Sequence, residues 1–199
     1  RENLAVSAPF EPGSVYKVLT LSAALETPRL RPECFINCGN GSITLFGRTI
    51  HDHNRYWGLS MEDVLARSSN IGAINIGLTV GQNNMYKYIH LFGFGVRTGI
   101  PLPGESSGMV RPLRHWQKSS LASVAMGHEV GVTALQLAQA CSVIANGGFL
   151  VKPRLTMATP VAQPIRVLKP ETAITMRRMM EGVVIKPYGT GYKYARLLG

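Results

Sequence analysis

Two stretches of this chain are apolar around their whole circumference, and they limit the folds open to it. In "SVYKVLTLSAALE", residues 14 to 26, the apolar side chains Val15, Tyr16, Val18, Leu19 and Leu21 leave no helical face free for solvent. "NIGAINIGLTVG", residues 70 to 81, reads the same way and is closed by Gly81. A surface helix carries one apolar stripe, whereas a helix apolar all round has to be enclosed by other elements. The spacing therefore predicts central buried helices, and a chain of 199 residues can supply their covering. Lys17 is the anomaly. It puts an ammonium group inside the first of these segments, where burial of a charge is costly.

The remaining chain reads as mostly helical with a few strands. Residues 27 to 58, with Pro28, Pro32, Gly39, Gly41, Gly47 and Gly58, are loop and short hairpin, and "SITLF" is the best strand. Ser60 with Asp63 signals a capping box that starts a short helix ending near Arg67. "MYKYIHLFGFG" predicts a helix stopping at Gly93, and "GIPLPGESSGMVRP" a surface loop. Thr133 and Gln136 form a second capping box for "ALQLAQACSVIANGG", with Gly147 as its left-handed C-terminal cap. "FLVKPRLTM" is strand-like, and a last helix is expected from about Pro170 to Glu181. No internal repeat or low-complexity tract interrupts this order.

Hydrophobic residues at 45% and charged residues at 16% mark a globular chain, and the net charge is +10. That charge admits nucleic acid, an anionic membrane surface or an acidic polymer as partner. The basic residues are scattered, however, with pairs such as Arg177-Arg178 as the tightest groups, and no nucleic-acid-binding signature accompanies them. No run of about eighteen apolar residues occurs. The opening "RENLAVSAPF" lacks the build of a secretion signal and reads like the interior of a longer chain. Cys34 and Cys38 are close enough in sequence to pair in an oxidising compartment, and Cys141 reads as a buried spectator.

Ser14 and Lys17 are three positions apart, so on a helix they share one face, one turn from each other. An alcohol needs an adjacent base to become a nucleophile, and a lysine stripped of hydration gains a neutral fraction able to act as one. The plainer reading makes Ser14 an N-cap and lets Lys17 snorkel to solvent. Further on, Ser68, Ser69 and Asn70 stand at the seam between two predicted helices. A hydroxyl there and an amide two residues later suit the handling of a peptide bond, although serine and asparagine also favour such junctions as caps. Either motif alone is weak. Their order is what carries weight.

"EPGSVYK", "SSN", "FGFGVRTGIPLPGESSG", "VGVTALQLAQACSVIANGG" and "MEGVVIKPYGTG" together resemble the transpeptidase domain of class B penicillin-binding proteins, over essentially the whole chain. The resemblance implies an α+β, penicillin-binding/transpeptidase-like fold, here mainly its helical subdomain with an incomplete antiparallel sheet, as a single domain over residues 1 to 199. It implies peptidoglycan D,D-transpeptidation through an acyl-serine intermediate, blocked by β-lactams. Ser14 would then be the nucleophile, Lys17 the general base, Ser68 the proton relay to the leaving group, and Asn70 the group holding both Lys17 and the substrate amide. The Ser14 backbone N–H would give half of an oxyanion hole. The implied partners are peptidoglycan stem peptides, β-lactams and a lipid-II polymerising membrane protein. The implied location is the outer face of the bacterial cytoplasmic membrane, reached through an N-terminal anchor outside this sequence. No cofactor is implied.

The family's third motif, a strand with Lys-Thr-Gly or Lys-Ser-Gly, is missing. "RTG" at Arg97 to Gly99 imitates it in a stretch expected to be a surface loop, and the true strand is expected just beyond Gly199. This leaves as alternatives a non-catalytic scaffold fragment, or a β-lactamase or β-lactam sensor, although no deacylating glutamate signature follows the second motif. His51, Asp52 and His53 in "HDHNRYW", with a cysteine upstream, are acceptable zinc ligands at a spacing that fits no strong template. A polar hairpin is the favoured reading. His128 reads as a loop residue.

Overall fold

A computed structural model describes residues 2 to 195. In chain order it holds α1 (Leu4–Ser7), α2 (Lys17–Leu25), β1 (Phe35–Asn37), β2 (Ser42–Leu45), β3 (Arg48–His51), β4 (Gly58–Ser60), α3 (Met61–Ala66) and α4 (Asn70–Val80). There follow α5 (Gln82–Leu91), β5 (Met109–Val110), α6 (Ser120–Ala125), β6 (Val130–Gly131), α7 (Ala134–Ala145), β7 (Phe149–Leu150), β8 (Ile165–Arg166) and α8 (Pro170–Ile185). Among the described residues the strands form four antiparallel two-stranded ribbons, β1–β4, β2–β3, β5–β6 and β7–β8. The α+β reading holds, with helices dominating and the sheet component reduced to ribbons.

The two apolar segments do become the centre. α2 packs against α4, α5, α8 and α3, and α4 also meets α6. Leu21, Ala23, Ala24, Ala73, Ile76 and Met176 are fully buried in the shared core. Each large side chain taken from water there stabilises by about 1.5–3 kcal/mol. Close approach of α4 to α6 depends on Gly77, where a Cβ would come within 2.6 Å of the Ala125 Cβ.

The first apolar segment is not one helix, however. Gly13–Tyr16 form a tight 3₁₀ turn and the α-helix begins only at Lys17. The turn lies at the surface, so Val15 is 51% exposed and the fully apolar girth starts at Tyr16. Elsewhere local chemistry sets the boundaries. Ser60 caps α3 by accepting from the Asp63 N–H, and Thr133 and Gln136 make the full reciprocal box at α7. The Asp63 side chain is engaged elsewhere, with Lys186 and Tyr188, so the first box is half formed. Gln136 also donates to the carbonyls of Val96 and Ser107, tying the loop after α5 to the core. α8 continues four residues beyond the expected stop at Glu181, to Ile185. "FLVKPRLTM" keeps strand geometry only at Phe149–Leu150, where it pairs with β8.

Cys34 and Cys38 flank β1 on either side and are both free. Four extended steps at about 3.3 Å hold their Cα atoms roughly 13 Å apart, beyond the roughly 7 Å a disulfide tolerates. Closeness in sequence therefore does not bring the two thiols within pairing distance.

Candidate active site

Pro12 and Gly13 turn the chain abruptly into the 3₁₀ turn, with Gly13 at φ +56°. A second glycine backs it. The Gly13 N–H donates to the Gly127 carbonyl at 3.1 Å, and a Cβ on Gly127 would stand 2.1 Å from the Gly13 oxygen. In a 3₁₀ turn residues i and i+3 eclipse. Ser14 and Lys17 are therefore brought edge to edge, with Lys17 Nζ 3.2 Å from Ser14 Oγ. Ser14 stays exposed while Lys17 is wholly buried.

Lys17 crosses to the junction of α3 and α4. Its Nζ donates to the Ser68 carbonyl at 2.7 Å, to Asn70 Oδ1 at 2.8 Å and to Ser68 Oγ at 3.0 Å. Ser68 adopts φ +56°, a left-handed conformation that costs a non-glycine residue about 1–2 kcal/mol. That turn aims both its oxygens at Lys17, and strain of this kind collects at functional sites. The four predicted site residues, Ser14, Lys17, Ser68 and Asn70, thus meet around one nitrogen.

Burial lowers the Lys17 pKa from 10.5 to about 8, with the Asp52 charge acting in the opposite direction. As an ammonium, Lys17 has three protons for four oxygens. As an amine it keeps two, and the Ser68 carbonyl and Asn70 Oδ1 can only accept. The lone pair then falls to the two hydroxyls, Ser14 Oγ and Ser68 Oγ, which can donate. The arrangement can pull a proton from one hydroxyl and pass it to the other.

Asp52, which in the sequence stood only as one of three acceptable zinc ligands in a polar hairpin, has a different task here. It follows β3, and its carboxylate accepts from Ser69 Oγ at 2.6 Å, from the Ile71 N–H at 3.1 Å and from the Asn70 N–H. Ser69 in turn caps α4 by accepting from the Gly72 N–H at 2.9 Å. A carboxylate at a helix N-terminus is favoured by the aligned backbone dipoles. Both oxygens of Asp52 are occupied by this work, so the "HDHN" stretch is an anchor for the Ser-Ser-Asn junction. An acidic residue directly after a strand is visible in the sequence, but nothing there announces its contact with the Ser-Ser-Asn junction.

A hollow of about 300 Å³ opens beside Ser14 and Ser68, walled mainly by Val15, Val18, Leu65, Met180 and Val183. Arg97–Gly99 do not reach it as a strand. Thr98 donates through its N–H and Oγ1 to the Glu105 carboxylate, and the Gly99 N–H donates to Glu105 at 3.1 Å, closing a loop.

A family model, the penicillin binding protein transpeptidase domain, matches residues 1–198. Penicillin-binding protein PbpB of Mycolicibacterium smegmatis is 36% identical over 194 residues, covering 92% of this chain and 30% of the relative. The probable peptidoglycan D,D-transpeptidase PbpC of Pseudomonas aeruginosa is 35% identical, covering 94% and 33%. The apo transpeptidase domain of Burkholderia pseudomallei penicillin-binding protein 3 superposes with a TM-score of 0.90 at 34% identity, covering 98% of this chain and 59% of that one. Mycobacterium tuberculosis penicillin-binding protein 3, complexed with aztreonam, gives 0.89 at 34%, covering 98% and 47%. The chain spans about a third of the length of these curated relatives. It belongs to the penicillin-binding protein transpeptidase domain family.

Proposed function

We propose that this chain carries the acyl-transfer centre of a peptidoglycan D,D-transpeptidase. The observation that supports it most is a fully buried lysine, of lowered pKa, between the Ser14 and Ser68 hydroxyls. Neutral Lys17 takes the Ser14 proton as Oγ attacks the carbonyl of a D-alanyl-D-alanine stem peptide. Ser68 relays that proton to the departing D-alanine nitrogen. Asn70 spends Oδ1 on Lys17 and one amide N–H on the His51 carbonyl at 3.4 Å, which leaves its other N–H for the substrate. The Ser14 N–H steadies the oxyanion, and a second stem peptide's amine then takes the acyl group.

Arg97–Gly99 do not stand in for a strand that would bind the substrate carboxylate, since the Thr98 and Gly99 N–H groups are committed to the Glu105 carboxylate. The reading also places the protein outside the cytoplasmic membrane, working with a lipid-II polymerising partner. Relatives named as transpeptidases, and one solved with aztreonam, support the substrate and inhibitor class. Labelled penicillin tests it. The full-length gene product gains one covalent adduct by mass spectrometry and Ser14→Ala gains none; an adduct on the variant refutes the assignment.

A further inference from the structure

The residue before Ser68 is held by two aromatic rings. Arg67 closes α3, and its guanidinium carbon lies 4.0 Å from the Tyr188 ring centre and 5.2 Å from that of Tyr56. We propose that Arg67 is a positioning residue: gripped by the faces of Tyr56 and Tyr188, it keeps Ser68 in the left-handed conformation that the proton relay to the leaving group needs. This rests on the acyl-transfer reading above.

The backbone shows what has to be held. The Ser68 N–H donates to the Leu65 carbonyl at 3.1 Å and the Ser69 N–H to the Val64 carbonyl at 3.0 Å. These are the two closing bonds of a Schellman helix end, which usually places glycine at its left-handed position. Here that position is Ser68, at φ +56°. A side chain is needed there, because Ser68 Oγ and the Ser68 carbonyl meet Lys17 Nζ at 3.0 and 2.7 Å. With serine in the place of glycine the turn is intrinsically less favoured, so its neighbours have to support it.

Arg67 gives that support from the C-cap, where a positive charge also suits the helix dipole. Its Nε is buried and, among the described residues, has no hydrogen-bond partner. Asp63, one turn back on α3, is engaged with Lys186 and Tyr188. The ring faces therefore hold the guanidinium, and a planar cation stacks on them in a defined orientation. The rings come from distant parts of the chain. Tyr56 precedes β4 and Tyr188 follows α8, where the Thr190 N–H donates to the Ala66 carbonyl at 2.9 Å. Two segments far apart in sequence are thus fastened to the residue next to the relay.

The chemistry supplies a readout. Ser14 gives its proton to Lys17, and Ser68 passes that proton to the nitrogen as the nitrogen's bond to the acyl carbon breaks. An amide nitrogen leaves only when protonated, whereas a thiolate leaves as the anion. With a thioester the proton stays on Lys17 until water removes it. Once Ser68 leaves the left-handed conformation, Lys17 keeps its burial and Asn70 Oδ1, so the base survives and the relay is lost.

The test measures acylation of the full-length gene product by labelled penicillin, whose leaving group is an amide nitrogen, and by a D-alanyl thioester. Arg67→Ala and Tyr188→Leu are expected to slow the penicillin reaction at least about tenfold and the thioester reaction less than about threefold. Tyr188→Phe keeps the ring and gives up only the hydroxyl bound to Asp63, and it should stay within about twofold of wild type on both donors. Tyr188 is 42% exposed, so its variants fold and carry the test even where Arg67→Ala does not. Equal losses on the two donors would mean that the contact only stabilises, and they overturn the proposal. So does an unchanged penicillin rate, or a Tyr188→Phe as slow as Tyr188→Leu. A wild-type protein that forms no adduct with either donor refutes the underlying acyl-transfer reading instead.

Discussion

Four oxygens meet one nitrogen at Lys17, and the proton count around it sets the pH behaviour of the site. A base works only when neutral, so under the proposed acyl transfer the rate of penicillin acylation is expected to rise about tenfold per pH unit well below about 8 and to level above it. Asp52 is the anion that holds this pKa up. Asp52→Asn is expected to move the midpoint to lower pH and to reduce the plateau rate, because hydrogen bonds to a charged acceptor contribute about 1.5–3 kcal/mol each. A pH–rate profile of both proteins checks it, and an upward shift would remove Asp52 from the electrostatics. The same lowered pKa makes folding stability rise with pH between about 8 and 10.5. In that window the unfolded chain binds a proton that native Lys17 has released.

Among the elements, the turn between α6 and β6 backs the Ser14 turn directly. Gly127, at φ +85°, leaves no room for a Cβ against Gly13. Gly127→Ala should cost about 1–3 kcal/mol in urea unfolding and, by pushing Ser14 from Lys17, slow acylation by a larger factor than the stability loss explains. Equal losses would mean that the contact only stabilises. α3 and α4 divide the second motif in a comparable way. Ser68 ends one with a left-handed turn, and Ser69 and Asn70 begin the other. Sequence caps therefore located the junction, while the direction in which Ser68 points depends on a backbone conformation that no residue preference announces.

Across the molecule, the segment after α8 is fastened back onto α3, beside the Ser-Ser-Asn junction. Lys186 pairs with Glu62 and Asp63 at 2.9 Å each, Tyr188 donates to Asp63, and the Arg67 guanidinium lies 4.0 Å from the Tyr188 ring centre. The Thr190 N–H closes the seam on the Ala66 carbonyl. Lys186 is three-quarters buried, so Lys186→Ala leaves two carboxylates without their cation and should lower stability by about 1–3 kcal/mol. Urea midpoints at low and high salt test this; a difference from wild type that vanishes in salt would mean a purely surface effect.

Helix positions, caps, the order of the two motifs and the family were legible in the sequence, because apolar periodicity, hydroxyl caps and short-range spacing act within a few residues. The Ser14–Lys17 contact belongs with them, since one turn of chain suffices to make it. Asp52 does not. It reaches Ser69, Asn70 and Ile71 only because β3 is laid across the start of α4, and the burial that lowers the Lys17 pKa exists only once α2 is enclosed. Hydrogen bonds between distant segments and the loss of water around a charge belong to the assembled chain, so only the tertiary structure decided them.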